Sequence, residues 1–221
     1  VTTMNNAVEV SNLSKSFGQE EVLKNINITY ESGKIHGIVG RNGSGKTVLM
    51  KCILGFLKPT QGSVSVFGKK VGIDCDFAPN TGMIIEAPGF LPTESGYNNL
   101  KWLLGLRGIK SKQRIEEVIT LVGLDPASKK PVGKYSLGMR QRLGIAQAIM
   151  EKPKLLVLDE PMNGLDNQGV ADMRKLFLDL RQKGVTILLA SHNPLDIDAL
   201  CDTISEMDAG VITASGVGRM K

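Results

Sequence analysis

Gly40-Arg41-Asn42-Gly43-Ser44-Gly45-Lys46-Thr47 fits the pattern G-x-x-x-x-G-K-[ST]. A short apolar run, Ile35 to Val39, precedes it, and residues with helical spacing, Thr47 to Leu57, follow it. Glycines let backbone N–H groups turn toward phosphate oxygens, and the start of a helix adds unpaired amides and a positive dipole end. Lys46 supplies a charge for the β- and γ-phosphates, and Thr47 a hydroxyl for Mg²⁺. The stretch predicts a site for a magnesium-bound nucleoside triphosphate.

An apolar strand that ends in two carboxylates lies further along, at Leu155-Leu156-Val157-Leu158-Asp159-Glu160. Open α/β sheets bind ligands at the carboxyl ends of their strands, so paired acids there indicate a cationic ligand. Asp159 is suited to hold Mg²⁺, directly or through water. Glu160 is suited to polarise an attacking water, because phosphoryl transfer needs an oriented nucleophile. The alternative, a solvated pair of acids, is disfavoured by the glycine-rich loop upstream.

Strand and helix patterns alternate at both ends of the chain. Residues 8–30 alternate in polarity around the turn Phe17-Gly18-Gln19 and predict antiparallel strands. After Pro153 the pattern predicts a strand, a helix and a strand, at Leu155 to Leu158, Asn167 to Lys183 and Val185 to Ala190. Between about residues 88 and 150 helical periodicity replaces the strands, with Ser111 and Gly123 bounding one helix.

These patterns predict one α/β domain over residues 1–221. A parallel-sheet core with an antiparallel β subdomain is expected over about residues 1–87 and 151–221. An inserted α-helical subdomain is expected over about residues 88–150.

Composition indicates a globular protein of ordinary character. Apolar residues make up 42% of the 221 residues and charged residues 22%, and no apolar run approaches the roughly 20 residues of a membrane-spanning helix. Cys52, Cys75 and Cys201 are scattered, which argues against disulfides or a zinc site and favours a reducing cytosol. The net charge of +5 could suit an anionic lipid surface, a nucleic acid or nucleotide phosphates, but its spread along the chain favours an ordinary solvated surface. We expect no nucleic-acid partner.

Four further segments occur in a characteristic order: Phe17, Tyr135-Ser136-Leu137-Gly138-Met139-Arg140-Gln141-Arg142, Asn163-Gly164-Leu165-Asp166 and Ala190-Ser191-His192. With the loop and the acids, they make the chain resemble the ATP-binding cassette family over nearly its whole length. The second segment is similar to that family's signature, the third to its D-loop and the fourth to its switch-histidine segment. The resemblance implies a RecA-like P-loop NTPase fold, ATP and Mg²⁺ as ligands, and ATP hydrolysis.

The resemblance also implies roles for individual residues. Phe17 stacks on adenine, His192 bonds to the γ-phosphate, and Ser136 and Gly138 cap the ATP held by the partner's glycine-rich loop, with Asp166 near the same interface. Each residue keeps a simpler alternative: Phe17 as core, His192 as an ordinary strand-end histidine, Ser136 as a plain helix cap and Asp166 as a turn residue. The implied assembly is a homodimer or heterodimer of ATP-binding subunits on the cytoplasmic face of a membrane.

Two departures from the family pattern carry information. Glu86 occupies the position of the Q-loop glutamine, so a carboxylate replaces an amide where Mg²⁺ or its water can be approached. In the signature, Leu137 replaces a glycine and Met139 a glutamine. Both departures resemble the exporters that give self-protection against bacitracin-like peptides and lantibiotics. We therefore expect an immunity exporter subunit, with an importer or a general drug exporter as the alternative.

Separate transmembrane permease subunits are the implied partners, and the chain itself is expected to hold no transport site. The expected docking surface is Pro88 to Leu91 and Tyr97 to Leu106, where Trp102, Leu103 and Leu106 are candidate apolar contacts; Trp102 has helical core as an equal alternative. A further alternative is a non-transport ATPase of DNA repair. Such proteins carry long coiled-coil insertions between the motifs, and none is evident here.

Overall fold

The computed structural model describes residues 6–86 and 89–217. A four-stranded antiparallel sheet has the order β2-β1-β4-β5. Its strands are β1 (Asn6–Phe17), β2 (Glu20–Glu31), β4 (Gln61–Val66) and β5 (Lys69–Lys70). The pairing of β1 with β2 around a turn at Gly18 confirms the predicted antiparallel strands.

A six-stranded sheet forms the centre of the molecule, in the order β10-β9-β3-β8-β7-β6. Its strands are β3 (Ile35–Val39), β6 (Thr81–Ile84), β7 (Leu155–Asp159), β8 (Thr186–Ala190), β9 (Thr203–Asp208) and β10 (Val211–Val217). All neighbours are parallel except β9 and β10. Because the strands are parallel, the loops after β3, β7 and β8 emerge at the same edge, where ligands of such sheets bind.

Six α-helices and one short 3₁₀ helix (Val132–Lys134) occur in the described part of the chain. They are α1 (Lys46–Leu54), α2 (Gly96–Leu106), α3 (Lys112–Leu121), α4 (Leu137–Ile149), α5 (Asn167–Gln182) and α6 (Pro194–Leu200). Ser95, Ser111 and Ser136 cap α2, α3 and α4 through their hydroxyls, which satisfies backbone N–H groups that have no partner inside the helix. In the described residues from 89 to 150 the structure is helical, as the periodicity predicts.

The helical segment shares its hydrophobic core with the central sheet. One cluster of buried side chains contains Leu104, Val118 and Leu143 from the helices together with Leu158 and Leu189 from the strands. Helix α4 lies so close to β6 that a Cβ atom at Gly82 would be 1.8 Å from the backbone oxygen of Ala148. Helix α4 is therefore packed rigidly on the sheet that carries the predicted acids.

Helix α1 is shorter than predicted: it ends at Leu54, whereas the sequence predicts helical spacing as far as Leu57. Gly55 follows with a φ of 90°, and a Cβ atom there would be 2.4 Å from the backbone oxygen of Asp76. Only glycine tolerates this left-handed conformation and close approach, so the helix is terminated there.

None of the helices in the described ranges combines the length and the apolar composition needed to cross a bilayer.

Candidate functional site

A cavity of about 500 Å³ opens at the carboxyl edge of the central sheet. Residues 42–48 of the glycine-rich loop and of α1 form one side, and Asp159 and Glu160 form another. Val22, Glu86, Gln141 and Asn163 complete the described lining. The structure thus brings the loop and the two acids to one place, although they lie far apart in the sequence.

The glycine-rich loop is folded tightly against the rest of the protein. A Cβ atom at Gly40 would lie 2.3 Å from the backbone oxygen of Met207, and one at Gly45 would lie 2.8 Å from Leu23 Cδ2. Gly45 also has a φ of 103° and immediately precedes α1. These two positions need glycine, because a side chain would push the loop away from the strands that support it.

Lys46 is buried within the loop, with 7% of its surface exposed. Its Nζ donates to the backbone oxygen of Gly40 at 2.6 Å and to that of Arg41 at 3.1 Å. An ammonium has three donors, so these two carbonyls leave a third for an anion in the cavity. The protein itself therefore shields this charge from water.

Thr47 and Asp159 join the loop to the end of β7. The Thr47 hydroxyl donates to Asp159 Oδ2 at 2.7 Å. Adjacent ligands of an octahedral Mg²⁺ ion, with bonds of roughly 2.0–2.1 Å, lie about 2.9 Å apart, so this oxygen pair fits the ion. The described residues contain no cluster of three or more His, Cys, Asp or Glu side chains that could hold a metal. Phosphate and water would therefore supply most of the remaining ligands, as is usual for Mg²⁺.

Glu160 is held by two contacts with the residues at the end of β8. Its backbone N–H donates to Ala190 O at 2.9 Å, and its Oε1 lies 2.8 Å from His192 Nδ1. The Glu160 side chain is 22% exposed and that of His192 is 65% exposed. The sequence predicted His192 at a phosphate, whereas the structure places it on the carboxylate of Glu160.

Glu86 lies at the edge of the cavity but is paired with a lysine. Its Oε1 is 2.6 Å from Lys51 Nζ on α1, and its side chain is 66% exposed. The backbone φ of Glu86 is 61°, an uncommon value for a residue with a side chain. The structure therefore places Glu86 near the predicted metal ligands with part of its charge already compensated.

Seven predicted site residues are absent from the described lining of this cavity: Gly40 and Arg41 of the loop, His192, Phe17, Ser136, Gly138 and Asp166. Ser136 accepts a hydrogen bond from Met139 N at 3.2 Å and Asp166 accepts one from Gly169 N at 2.8 Å, so both are helix caps within their own chain. Phe17 is 48% exposed, with Lys15 Nζ 4.9 Å from the ring centroid. The core alternative for Phe17 is therefore wrong, and its ring is open to a ligand.

Gly138 packs against the segment that follows β7. A Cβ atom at Gly138 would lie 2.7 Å from the backbone oxygen of Gly164. The predicted signature and the predicted D-loop therefore touch within one chain, and glycine allows this approach.

Sequence reasoning missed two residues of the signature segment, Gln141 and Arg142. Gln141 is buried and its Nε2 donates to the backbone oxygen of Pro161 at 2.9 Å. Arg142 donates to Val122 O at 2.7 Å and lies 3.6 Å from Asp172. The signal was available, since two large polar residues inside an apolar helix need buried partners.

The predicted docking surface is only partly inside the described residues, because Pro88 lies outside them. Trp102 is 64% exposed and Leu106 is 83% exposed, so the core alternative for Trp102 is wrong. Leu103 is partly buried against the helical core. A cavity of about 770 Å³ between α2 and α3 is lined by Tyr97, Trp102 and Ile109, among others.

Comparison with known proteins agrees with this geometry. The sequence profile of the family described as "ABC transporter" matches residues 23–163. The uncharacterized ABC transporter ATP-binding protein YybJ of Bacillus subtilis is 43% identical, over 94% of this chain and 95% of that protein. The bacitracin transport ATP-binding protein BcrA of Enterococcus faecalis is 43% identical over 94% and 68%. The lantibiotic transport ATP-binding protein SrtF of Streptococcus pyogenes is 37% identical over 93% and 88%.

Solved structures share the fold. The dimeric structure of MJ0796, a bacterial ABC transporter cassette, superposes with a TM-score of 0.88 at 23% identity, over 97% of this chain and 100% of that one. The structure of cbiO1 from Clostridium perfringens, part of the cbiONQ transporter complex, has a TM-score of 0.84 at 26% identity, over 97% and 90%. The predicted fold class is confirmed.

Proposed function

This chain belongs to the ABC transporter family and is one of its ATP-binding, ATP-hydrolysing subunits, and we propose that it drives the export of an antimicrobial peptide. In this proposal two ATP-binding subunits close around two Mg-ATP, and their closure and release move separate permease subunits. The observation that most supports the Mg-ATP site of this proposal is the contact of Thr47 with Asp159. Both line a cavity together with Lys46 and Glu160.

Each side chain of the cavity has a part in the proposed reaction. The loop amides and Lys46 bind the β- and γ-phosphates, while Thr47 and Asp159 would hold Mg²⁺. Glu86, which lines the same cavity, would approach the ion or one of its waters. When bound, Mg²⁺ would neutralise charge on the phosphate oxygens. Glu160 orients the attacking water and accepts its proton.

His192 supports Glu160 in this scheme. Its Nδ1 faces the carboxylate, and its exposed ring leaves Nε2 for the γ-phosphate. Phe17, which is open to solvent, is assigned to the adenine ring.

A second subunit is required because Ser136 and Gly138 of the signature segment lie outside the described lining of this chain's own cavity. Ser136 is exposed at the N-terminus of α4, where unpaired amides and the helix dipole attract an anion. Leu137 beside it is 58% exposed, an apolar contact available for an interface. In the dimer, Ser136 and Gly138 of each subunit cap the ATP of the other, and Asp166 lies beside them. The proposed assembly is a homodimer or a heterodimer of ATP-binding subunits.

The proposed cargo rests on the relatives named for bacitracin and lantibiotic transport and on Glu86. The family pattern has a glutamine at this position, and here a carboxylate bonded to Lys51 links the cavity to the end of α1. Exposed apolar side chains at Trp102 and Leu106 suit contact with permease subunits at the cytoplasmic face of the membrane. An importer or a general drug exporter is the second candidate.

The substitution Glu160→Gln tests the composite site. It preserves the shape of the side chain and removes its basicity, so we expect ATP hydrolysis to slow about 10²- to 10⁴-fold. ATP binding is retained, and the variant should form a stable dimer in Mg-ATP, measured by light scattering after gel filtration. Glu151→Gln, at a surface ion pair with Arg107, is the matched control and should behave as the native protein does. A Glu160→Gln protein that stays monomeric with saturating Mg-ATP contradicts the proposal.

The cargo is tested separately in cells. Cells that lack this subunit should become more sensitive to bacitracin-like or lantibiotic peptides, and the native gene, but not Glu160→Gln, should restore resistance. Unchanged sensitivity together with normal ATPase activity would refute the peptide cargo and leave the ATPase assignment intact.

A further inference from the structure

Gln141 connects the signature helix to the backbone that carries Glu160. It is 8% exposed, on the second turn of α4, and its Nε2 donates to Pro161 O at 2.9 Å and lies 3.5 Å from Glu160 O. Its side chain also lines the cavity. This buried amide donates to carbonyls of the turn after β7, so it connects α4 to that turn through hydrogen bonds.

The turn that Gln141 contacts is a strained one. Glu160 has a φ of 49°, in the left-handed region that is unfavourable for a non-glycine residue. Such a conformation persists only where its surroundings hold it. Glu160 N donates to Ala190 O and Asn163 N donates to Glu160 O at 3.2 Å, and the Gln141 amide adds its contacts with the carbonyls of Glu160 and Pro161 to this support.

The direction of the Glu160 carboxylate depends on this backbone conformation. If the turn relaxes, the Cα–Cβ bond rotates and the carboxylate moves away from its position beside His192. The effect on an attacking water would be large, because orientation of a reacting group contributes strongly to rate.

Helix α4 begins at the capping residue Ser136, roughly 7.5 Å along the helix axis from Gln141. We propose that Gln141 is a positioning residue for Glu160, and that it makes the placement of this carboxylate depend on the helix whose N-terminus carries Ser136. The proposal rests on the function proposed above, in which Ser136 caps the other subunit's nucleotide. Gln141 itself takes no part in the chemistry.

Gln141→Met is the test variant, because methionine keeps the length and bulk of glutamine and removes both N–H donors. We expect kcat for ATP to fall about tenfold, since a buried carbonyl loses its donor and the strained turn its support. KM for ATP should stay near the native value, because the phosphate loop is untouched. Gln147→Met, the same change further along α4, is the matched control and should leave both constants at native values.

A double-mutant cycle separates positioning from a general loss of structure. If Gln141 acts through Glu160, then Gln141→Met should reduce the native rate but not the residual rate of the Glu160→Gln protein. Glu160→Gln with Gln141→Met should also still dimerise in Mg-ATP.

The results that would overturn the positioning role of Gln141 differ from those that would contradict the proposed function. Equal rate losses from Gln141→Met in the native and Glu160→Gln backgrounds, a raised KM, or an unchanged kcat would each overturn the positioning role. A Glu160→Gln protein that fails to dimerise would instead contradict the composite site, whatever the effect of Gln141→Met.

Discussion

Replacing Lys46 by methionine removes the one charge that the glycine-rich loop buries. The Lys46 ammonium is 7% exposed and donates to Gly40 O and Arg41 O. The cost of taking it out of water is therefore met on folding, and ATP binding gains most of the attraction between this cation and the phosphates.

The size of the effect follows from Coulomb's law. Two unit charges about 4 Å apart attract by roughly 4 kcal/mol at an effective dielectric constant of 20. Lys46 Nζ is also hydrogen-bonded to two carbonyl oxygens, which weakens its attraction for a phosphate. We therefore expect the binding free energy of ATP to fall by about 2–3 kcal/mol, or roughly 30- to 150-fold weaker binding.

Isothermal titration of native protein and Lys46→Met with Mg-ATP, at one ionic strength, measures this loss. Lys58→Met is the control, because Lys58 is an exposed lysine near the end of α1 and should bind ATP as the native protein does. Urea unfolding checks that the variant is folded, since Gly40 O and Arg41 O lose a donor. A folded Lys46→Met protein with native affinity would refute the role of this charge.

Two further predictions concern charged groups outside the loop. Glu86→Gln should change the free energy of unfolding by less than about 1 kcal/mol, because the Glu86 side chain of the ion pair with Lys51 is 66% exposed. It should nevertheless alter both ATP turnover and peptide resistance; if neither changes, Glu86 has no part in coupling. Both ring nitrogens of His36 are hydrogen-bonded in the core, one to Thr203 Oγ1 at 2.6 Å and one to Glu31 O at 2.8 Å, and burial lowers its pKa below the usual value of about 6.5. The unfolded chain then binds more protons, so stability should fall as the pH drops below about 6.5, and urea unfolding of His36→Gln should show a weaker pH dependence between pH 5.5 and 7.5. An equal pH dependence in the variant would contradict this.

The phosphate loop, the acids and the helix caps were predictable because their physical requirements are local. A loop that turns its amides inward needs glycines in sequence, and a helix that starts at Ser111 or Ser136 needs a hydroxyl there. The sequence assigned both Thr47 and Asp159 to Mg²⁺, because ligands of open α/β sheets bind at the carboxyl ends of the strands, and the structure brings the two side chains into contact.

The remaining elements were missed for identifiable reasons. Strand β6 is only four residues long and is recognisable mainly by its packing under α4, which requires Gly82. Strand β9 buries Ser205 on the same face as Met207, so its alternation is hidden by a polar core residue. The bond of His192 to Glu160 joins the ends of two strands, and no sequence spacing indicates it.

A crystal structure of the Glu160→Gln protein with Mg-ATP would measure the composite site directly. We expect two subunits, with each triphosphate bound between the Gly40–Thr47 loop of one subunit and the Ser136 hydroxyl of the other. The Ser136 hydroxyl should lie at hydrogen-bonding distance from the γ-phosphate. A triphosphate bound away from Lys46, or one contacted by a single subunit with both Ser136 residues remote, would contradict it.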